Sequence, residues 1–184
     1  MTPSDLALLD RLLLKRSVKR GQFVLASGRT SNFYIDCRLT TMSAEGLVLI
    51  GRLGLAGMRE QGWSPRAVGG LTMGADPVAY AIAAQSVSAP PMVHAFSVRK
   101  EAKAHGTGRR VEGNFSAGDP VVVVEDVITT GGSALKAIEA IREEGGTVLG
   151  ILAVVDREEG GRAALEAAGH SVVALTTSTR LGLK

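Results

Sequence analysis

One cysteine, Cys37, in 184 residues leaves no partner for an intramolecular disulfide. Three histidines, His94, His105 and His170, even counted with that cysteine, do not fall into a zinc-ligand spacing. Aromatic side chains number seven, too few and too scattered for a surface on which nucleobases stack, so a nucleic-acid partner is not expected. The longest apolar runs, residues 121–124 and 148–155, are the length of strands and far short of a membrane span. No GK[ST] follows either glycine-rich segment, which excludes the phosphate loop of nucleoside triphosphatases. Nor does a basic stretch followed by an apolar one open the chain, so a cytoplasmic protein is expected. Linkers, internal repeats and low-complexity tracts are absent as well, and residues 1–184 read as a single domain.

Charge is present, but it is concentrated. The chain carries a net +3, and residues 99–114 alone hold five Lys and Arg against Glu101 and Glu112, a local excess equal to that of the whole chain. No aromatic residue lies between Arg99 and Asn114, so this segment suits a small polyanion better than a nucleic acid.

The chain is organised around residues 121–133, VVVVEDVITTGGS. Four consecutive valines predict a strand buried on both faces, and residues 134–144 predict a helix with Leu135, Ile138 and Ile141 on one face. Between them Thr129, Thr130, Gly131, Gly132 and Ser133 offer hydroxyls and backbone N–H groups where the helix N-terminus is partially positive, which makes a phosphate cradle. Glu125 and Asp126, just before the loop, would repel a bare phosphate. Ribose hydroxyls, which donate to carboxylates, or a Mg²⁺ carried in on a diphosphate would satisfy them.

Elsewhere, residues 5–15 predict an amphipathic helix through Leu6, Leu8, Leu9, Leu12 and Leu13. Segments 23–25 and 33–35 predict short strands outside the main sheet. Ser43 is the expected N-cap of a helix to about residue 61, in which Gly46, Gly51, Gly54 and Gly57 permit close packing. Residues 67–71 predict a strand, followed by a second glycine-rich loop, 69–75, and a helix with Asp76 as N-cap and Pro77 at its first position. Strands over 93–98, 120–125, 147–155 and 171–175, with a helix over 162–168, complete an α/β pattern that implies a parallel sheet flanked by helices.

The central stretch resembles the signature of the type I phosphoribosyltransferases, which act on 5-phosphoribosyl 1-diphosphate (PRPP). The runs SGRTSNFYID (27–36) and VRKEAKAHG (98–106), with the pair Asp156-Arg157, are similar to those of orotate phosphoribosyltransferases across nearly the whole chain. That resemblance implies a central parallel sheet flanked by helices and a small N-terminal hood. It implies PRPP contacts from Glu125 and Asp126 to the ribose hydroxyls and from Val127, Ile128, Thr129, Thr130, Gly131, Gly132 and Ser133 around the 5′-phosphate. Arg99, Lys100, Lys103 and His105 would reach the diphosphate from a mobile loop, and Thr72 and Met73 would meet it through the backbone. Tyr34, Ile35, Thr129 and Arg157 would face orotate, whose carboxylate suits an arginine. Lys103, His105 and Asp126 are the expected catalytic residues, and Mg²⁺, held mainly by the diphosphate, is the expected cofactor. A homodimer with shared sites is also implied. The chain departs from the family's usual pattern at Ala26 and Met73, where lysines are common, which leaves backbone amides, Arg29 or Arg38 to replace them. A phosphoribosyltransferase for another base, or a non-catalytic regulator on the same fold, is the competing reading. Arg157 and the basic run argue against the first, and the intact acids, loop cations and complete phosphate cradle, with the aromatic-poor basic segment, against the second.

Overall fold

The computed structural model describes residues 1–24, 30–101 and 109–184. Helix α1 (Pro3–Arg16) is capped by Thr2, whose hydroxyl accepts from the Asp5 amide, and buries Leu9 and Leu13. Strands β1 (Val18–Val24) and β2 (Thr30–Ile35) form an antiparallel hairpin of their own, the accessory element expected from the sequence, although β1 begins earlier than its apolar residues suggest. A one-turn helix, α2 (Arg38–Thr41), follows and was not foreseen, since four residues carry no periodicity. Helix α3 (Ala44–Glu60) starts where Ser43 was expected to cap it, with Ser43 Oγ accepting from the Gly46 amide at 3.1 Å.

The main sheet has six strands: β3 (Ala67–Leu71), β4 (His94–Val98), β5 (Val111–Gly113), β6 (Pro120–Ile128), β7 (Thr147–Asp156) and β8 (Val172–Thr177). Their spatial order is β5-β4-β3-β6-β7-β8, with every pairing parallel except β4 with the short β5. Helix α4 (Ala75–Ser88) links β3 to β4, α5 (Gly132–Glu143) links β6 to β7, and α6 (Gly161–Ala167) links β7 to β8. No helix of the described residues is long and apolar enough to cross a membrane.

Strand β6 divides the core. Val122 and Val124 pack with Leu152 and Val154 into the cluster under α1, α3 and α4, while Val121 and Val123 join Ile151, Ala153 and the residues of α5 and α6. All four valines have no exposed surface, so each contributes about 1.5–3 kcal/mol by burial. Close approach of α3 and α4 depends on the glycines: a Cβ on Gly51 would stand 2.5 Å from the Ala81 carbonyl oxygen, and one on Gly54 would stand 2.7 Å from Ile82 Cδ1.

Three expectations are corrected. Leu135 is half-exposed; Ile138 and Ile141 are buried as expected, but Ala134, Ala137 and Ala140, on the side of them away from Leu135, complete the buried stripe of α5. Asp76 is not an N-cap: α4 begins at Ala75, so Asp76 and Pro77 lie within its first turn and the Asp76 carboxylate accepts from Ser97 Oγ at 2.7 Å. Strand β6 runs three residues past its expected end at Glu125, pairing with β7 as far as Ile128, so Asp126 lies within the strand.

Candidate active site

The carboxyl ends of β3, β6 and β7 open into a cleft of about 710 Å³, a size suited to a small organic substrate. Alternation along β6 sends its two acids to opposite sides of the sheet. Glu125 lies on the face of Val121 and Val123 and borders a smaller recess of about 70 Å³ formed by residues 127–134. Asp126 lies on the face of Val122 and Val124, against Gly74 of the second glycine-rich loop. A Cβ on Gly74 would come within 2.5 Å of Asp126 Oδ1, so that position admits only glycine unless the carboxylate moves.

The small recess has the form expected of a phosphate cradle. Gly131 has φ 83° and turns the chain into α5, and a Cβ there would press on Leu165 and the Gly161 carbonyl. Gly132 and Ser133 belong to the first turn of α5, which aims unbonded amides into the recess.

Burial governs the acids. Glu125 is only 5% exposed and its Oε1 has no hydrogen-bond partner among the described residues. Desolvation, and next the charge of Asp126, push its carboxyl up to about 8. The same desolvation raises Asp126, opposed by hydrogen bonds that include the Val127 amide to Oδ1 at 2.9 Å. Cys37, buried at the wall of the cleft, has its thiol pushed well up by desolvation and by Asp126 and Asp36.

Of the other expected residues, Tyr34, Ile35, Thr72, Met73, Lys100, Thr129, Thr130, Ser133 and Arg157 line the cleft. Val127 lines both cavities, and Ile128, Gly131 and Gly132 border the small one. Arg99 is outside the lining and lies 3.3 Å from Glu112 of β5. Lys103 and His105, like Ala26 and Arg29, lie outside the described residues. Among the described residues no three His, Cys, Asp or Glu side chains are grouped to hold a metal. A Mg²⁺ there would be held mainly by substrate oxygens and water, to which a cleft carboxylate such as Asp126 could add a single ligand.

Asp36 and the contact of Gly74 with Asp126 were less legible in the sequence. Asp36 holds Arg38 with Oδ1 accepting from Nε at 2.8 Å and Oδ2 accepting from Nη2 at 3.1 Å, which lowers the Asp36 carboxyl and fixes a cation beside Met73. The spacing of an acid and an arginine two apart, straight after a strand, was the available signal.

A phosphoribosyl transferase domain model matches residues 48–168, from α3 to the end of α6, and the chain belongs to that family. It is 45% identical to an orotate phosphoribosyltransferase of Rhodopirellula baltica over 98% of this chain and 95% of that relative. It is 48% identical to one of Aquifex aeolicus over 91% of this chain and 92% of that one. Orotate phosphoribosyltransferase of Mycobacterium tuberculosis H37Rv, solved in complex with 5-phospho-α-D-ribosyl 1-diphosphate, superposes with a TM-score of 0.82 at 40% identity, covering 97% of this chain and 99% of that one. Within the family the chain therefore groups with the orotate phosphoribosyltransferases.

Proposed function

We propose that the protein transfers the 5-phosphoribosyl group of PRPP to N1 of orotate, releasing diphosphate and forming orotidine 5′-monophosphate for pyrimidine synthesis. The observation that carries this reading is one cleft lined by an orphaned buried carboxylate, a phosphate-sized recess and a buried arginine, Arg157. The recess takes the 5′-phosphate through the amides at the start of α5. Glu125 and Asp126 accept from the ribose hydroxyls, which places the sugar across the end of the sheet. Orotate N1 attacks the anomeric carbon as the bond to diphosphate breaks, and positive charge gathers on the ring. The two acids hold that ring through its hydroxyls and the negative charge of Asp126 favours the charge it gathers, while neither acid forms a bond to it. At the leaving end, backbone groups of Thr72, Met73 and Gly74 and the side chain of Lys100 receive the diphosphate. Mg²⁺, when bound, neutralises part of the diphosphate charge.

Lys103 and His105 are assigned to the leaving group by their place in the basic run. A cytoplasmic homodimer in which Arg99, Lys103 and His105 serve the partner's cleft completes the proposal, and the position of Arg99 outside its own cleft supports it. Mixing Lys103→Ala with Asp126→Asn tests sharing. Subunit exchange would restore roughly a quarter of the activity, since half the dimers are mixed and each holds one intact site. No recovery despite exchange would return the segment to its own subunit.

The direct test follows orotate absorbance with PRPP and Mg²⁺. Consumption of orotate that stops in excess chelator is expected. Failure to consume orotate, or equal use of uracil or hypoxanthine, would overturn the assignment.

A further inference from the structure

Arg157, at the end of β7, is 4% exposed and yet lines the cleft. A guanidinium so deeply placed needs a counter-charge. Glu159 supplies it. Glu159 Oε1 accepts from Arg157 Nε at 2.8 Å and lies 2.7 Å from Nη2, so a single carboxylate oxygen receives one whole edge of the guanidinium. Nη2 also donates to Ser31 Oγ of β2 at 3.3 Å, and the guanidinium carbon sits 4.8 Å from the centre of the Phe33 ring. No hydrogen bond joins Nη1 to any of the described residues.

The backbone between the two charged residues is built for this pairing. Glu158 has φ 56°, a left-handed conformation uncommon outside glycine. Two hydrogen bonds hold it there: Asp156 Oδ1 accepts from the Glu158 amide at 2.7 Å, and Glu158 Oε2 accepts from the Thr179 amide at 2.7 Å. In an extended strand the side chains two apart would share a face but run parallel. The left-handed turn instead folds Glu159 back onto Arg157, where the two meet with little exposed surface, 5% and 13% of their side chains.

We infer that Glu159 is the positioning residue of the base site: by occupying the Nε/Nη2 edge of Arg157 it locks the guanidinium so that Nη1 remains as the donor for the orotate carboxylate. The inference rests on the assignment of Arg157 to that carboxylate. It also turns a contact that looks like simple neutralisation into a device for specificity, because a fixed donor discriminates by position where a swinging one discriminates only by charge.

Two opposed effects make the test decisive. The charge of Glu159 repels an anionic base, so if charge were its whole contribution, removing it would lower KM for orotate. If placement is its contribution, removing it lets the guanidinium leave its orientation and raises KM for orotate. Steady-state kinetics of Glu159→Ala, Glu159→Gln, Arg157→Ala and the Arg157→Ala/Glu159→Ala double variant separate these. For Glu159→Ala, KM for orotate is expected to rise about tenfold with KM for PRPP unchanged. Glu159→Gln should rise less, since its amide oxygen still accepts from Nε. The double variant should be no worse than Arg157→Ala alone. An unchanged or lowered KM for orotate in both Glu159 variants, or equal rises for both substrates, overturns the inference. If Arg157→Ala itself leaves KM for orotate unchanged, the assignment of the base site has failed instead. Should the alanine variant not fold, the sign of the change in Glu159→Gln decides alone.

Discussion

At the end of the cleft proposed for the ribose Glu125 is buried with an oxygen that meets no partner among the described residues, whereas at the end proposed for the base Arg157 is buried just as deeply and is held by Glu159, Ser31 and Phe33. A buried charge without a partner is costly, and the protein avoids that cost at Glu125 by raising its proton affinity. Ligand hydroxyls then complete what the fold leaves open. The arginine is satisfied before any ligand arrives, so under the proposed assignment the base would be chosen by how well it fits a donor already in place. The proposed roles would concentrate binding strength at one end and discrimination at the other.

The contrast is broken most severely at Asp126. Asp126→Asn keeps the size and removes the charge, and kcat/KM should fall about a hundredfold or more while the thermal midpoint holds. Near-normal turnover would make Asp126 a solvated strand end. Arg157→Ala strikes the other end: KM for orotate should rise by about tenfold to a hundredfold, with KM for PRPP little changed. Equal weakening of both substrates would erase the division of labour. Gly74→Ala perturbs Asp126 without touching its chemistry, since the new methyl would stand 2.5 Å from Oδ1. A loss of about tenfold in kcat/KM is expected from the displaced carboxylate, and an unaffected enzyme would mean that its placement is loose.

The smallest effect is on stability. Glu125 has a folded-state value of about 8 against an ordinary 4.5, so the folded state binds the extra proton between those limits. Stability associated with the protonated form is therefore fully present below 4.5 and is lost as pH rises through about 8. Across that window the unliganded protein should lose thermal midpoint faster than Glu125→Gln, which has no proton to release. Parallel curves for the two proteins would show that Glu125 is not desolvated in solution.

What could be read from the chain alone follows sequence distance. The strand, acids, loop and helix of residues 120–143 are contiguous, so their order in the sequence is also their order in the site. The Arg157–Ser31 contact joins residues 126 positions apart, and only the docking of the hood hairpin on the sheet brings it about. Arg157 could be assigned to orotate or paired with a neighbouring acid on sequence grounds. The fold does the second while leaving the arginine on the cleft, a combination that no local pattern expresses. Short elements were also hidden: α2 has four residues and β5 three, too few for either periodicity. Leu135 misled because hydrophobicity alone does not fix the phase of a helix whose buried stripe is largely alanine.

From Val121 to Asp126 the strand β6 alternates, with Val121, Val123 and Glu125 toward α5 and Val122, Val124 and Asp126 toward α3 and α4, before Val127 and Ile128 reverse the order. A deletion or insertion of one residue among the valines would exchange the side chains from that point to Asp126 between the two faces. Glu125 would then stand where Gly74 leaves room for a shorter acid, and Asp126 would face the phosphate recess. Reading-frame-preserving changes of a single codon in this strand should therefore be lethal to activity even when they replace one valine by none and leave the composition nearly untouched. The number of residues in the strand is as tightly constrained as their identity.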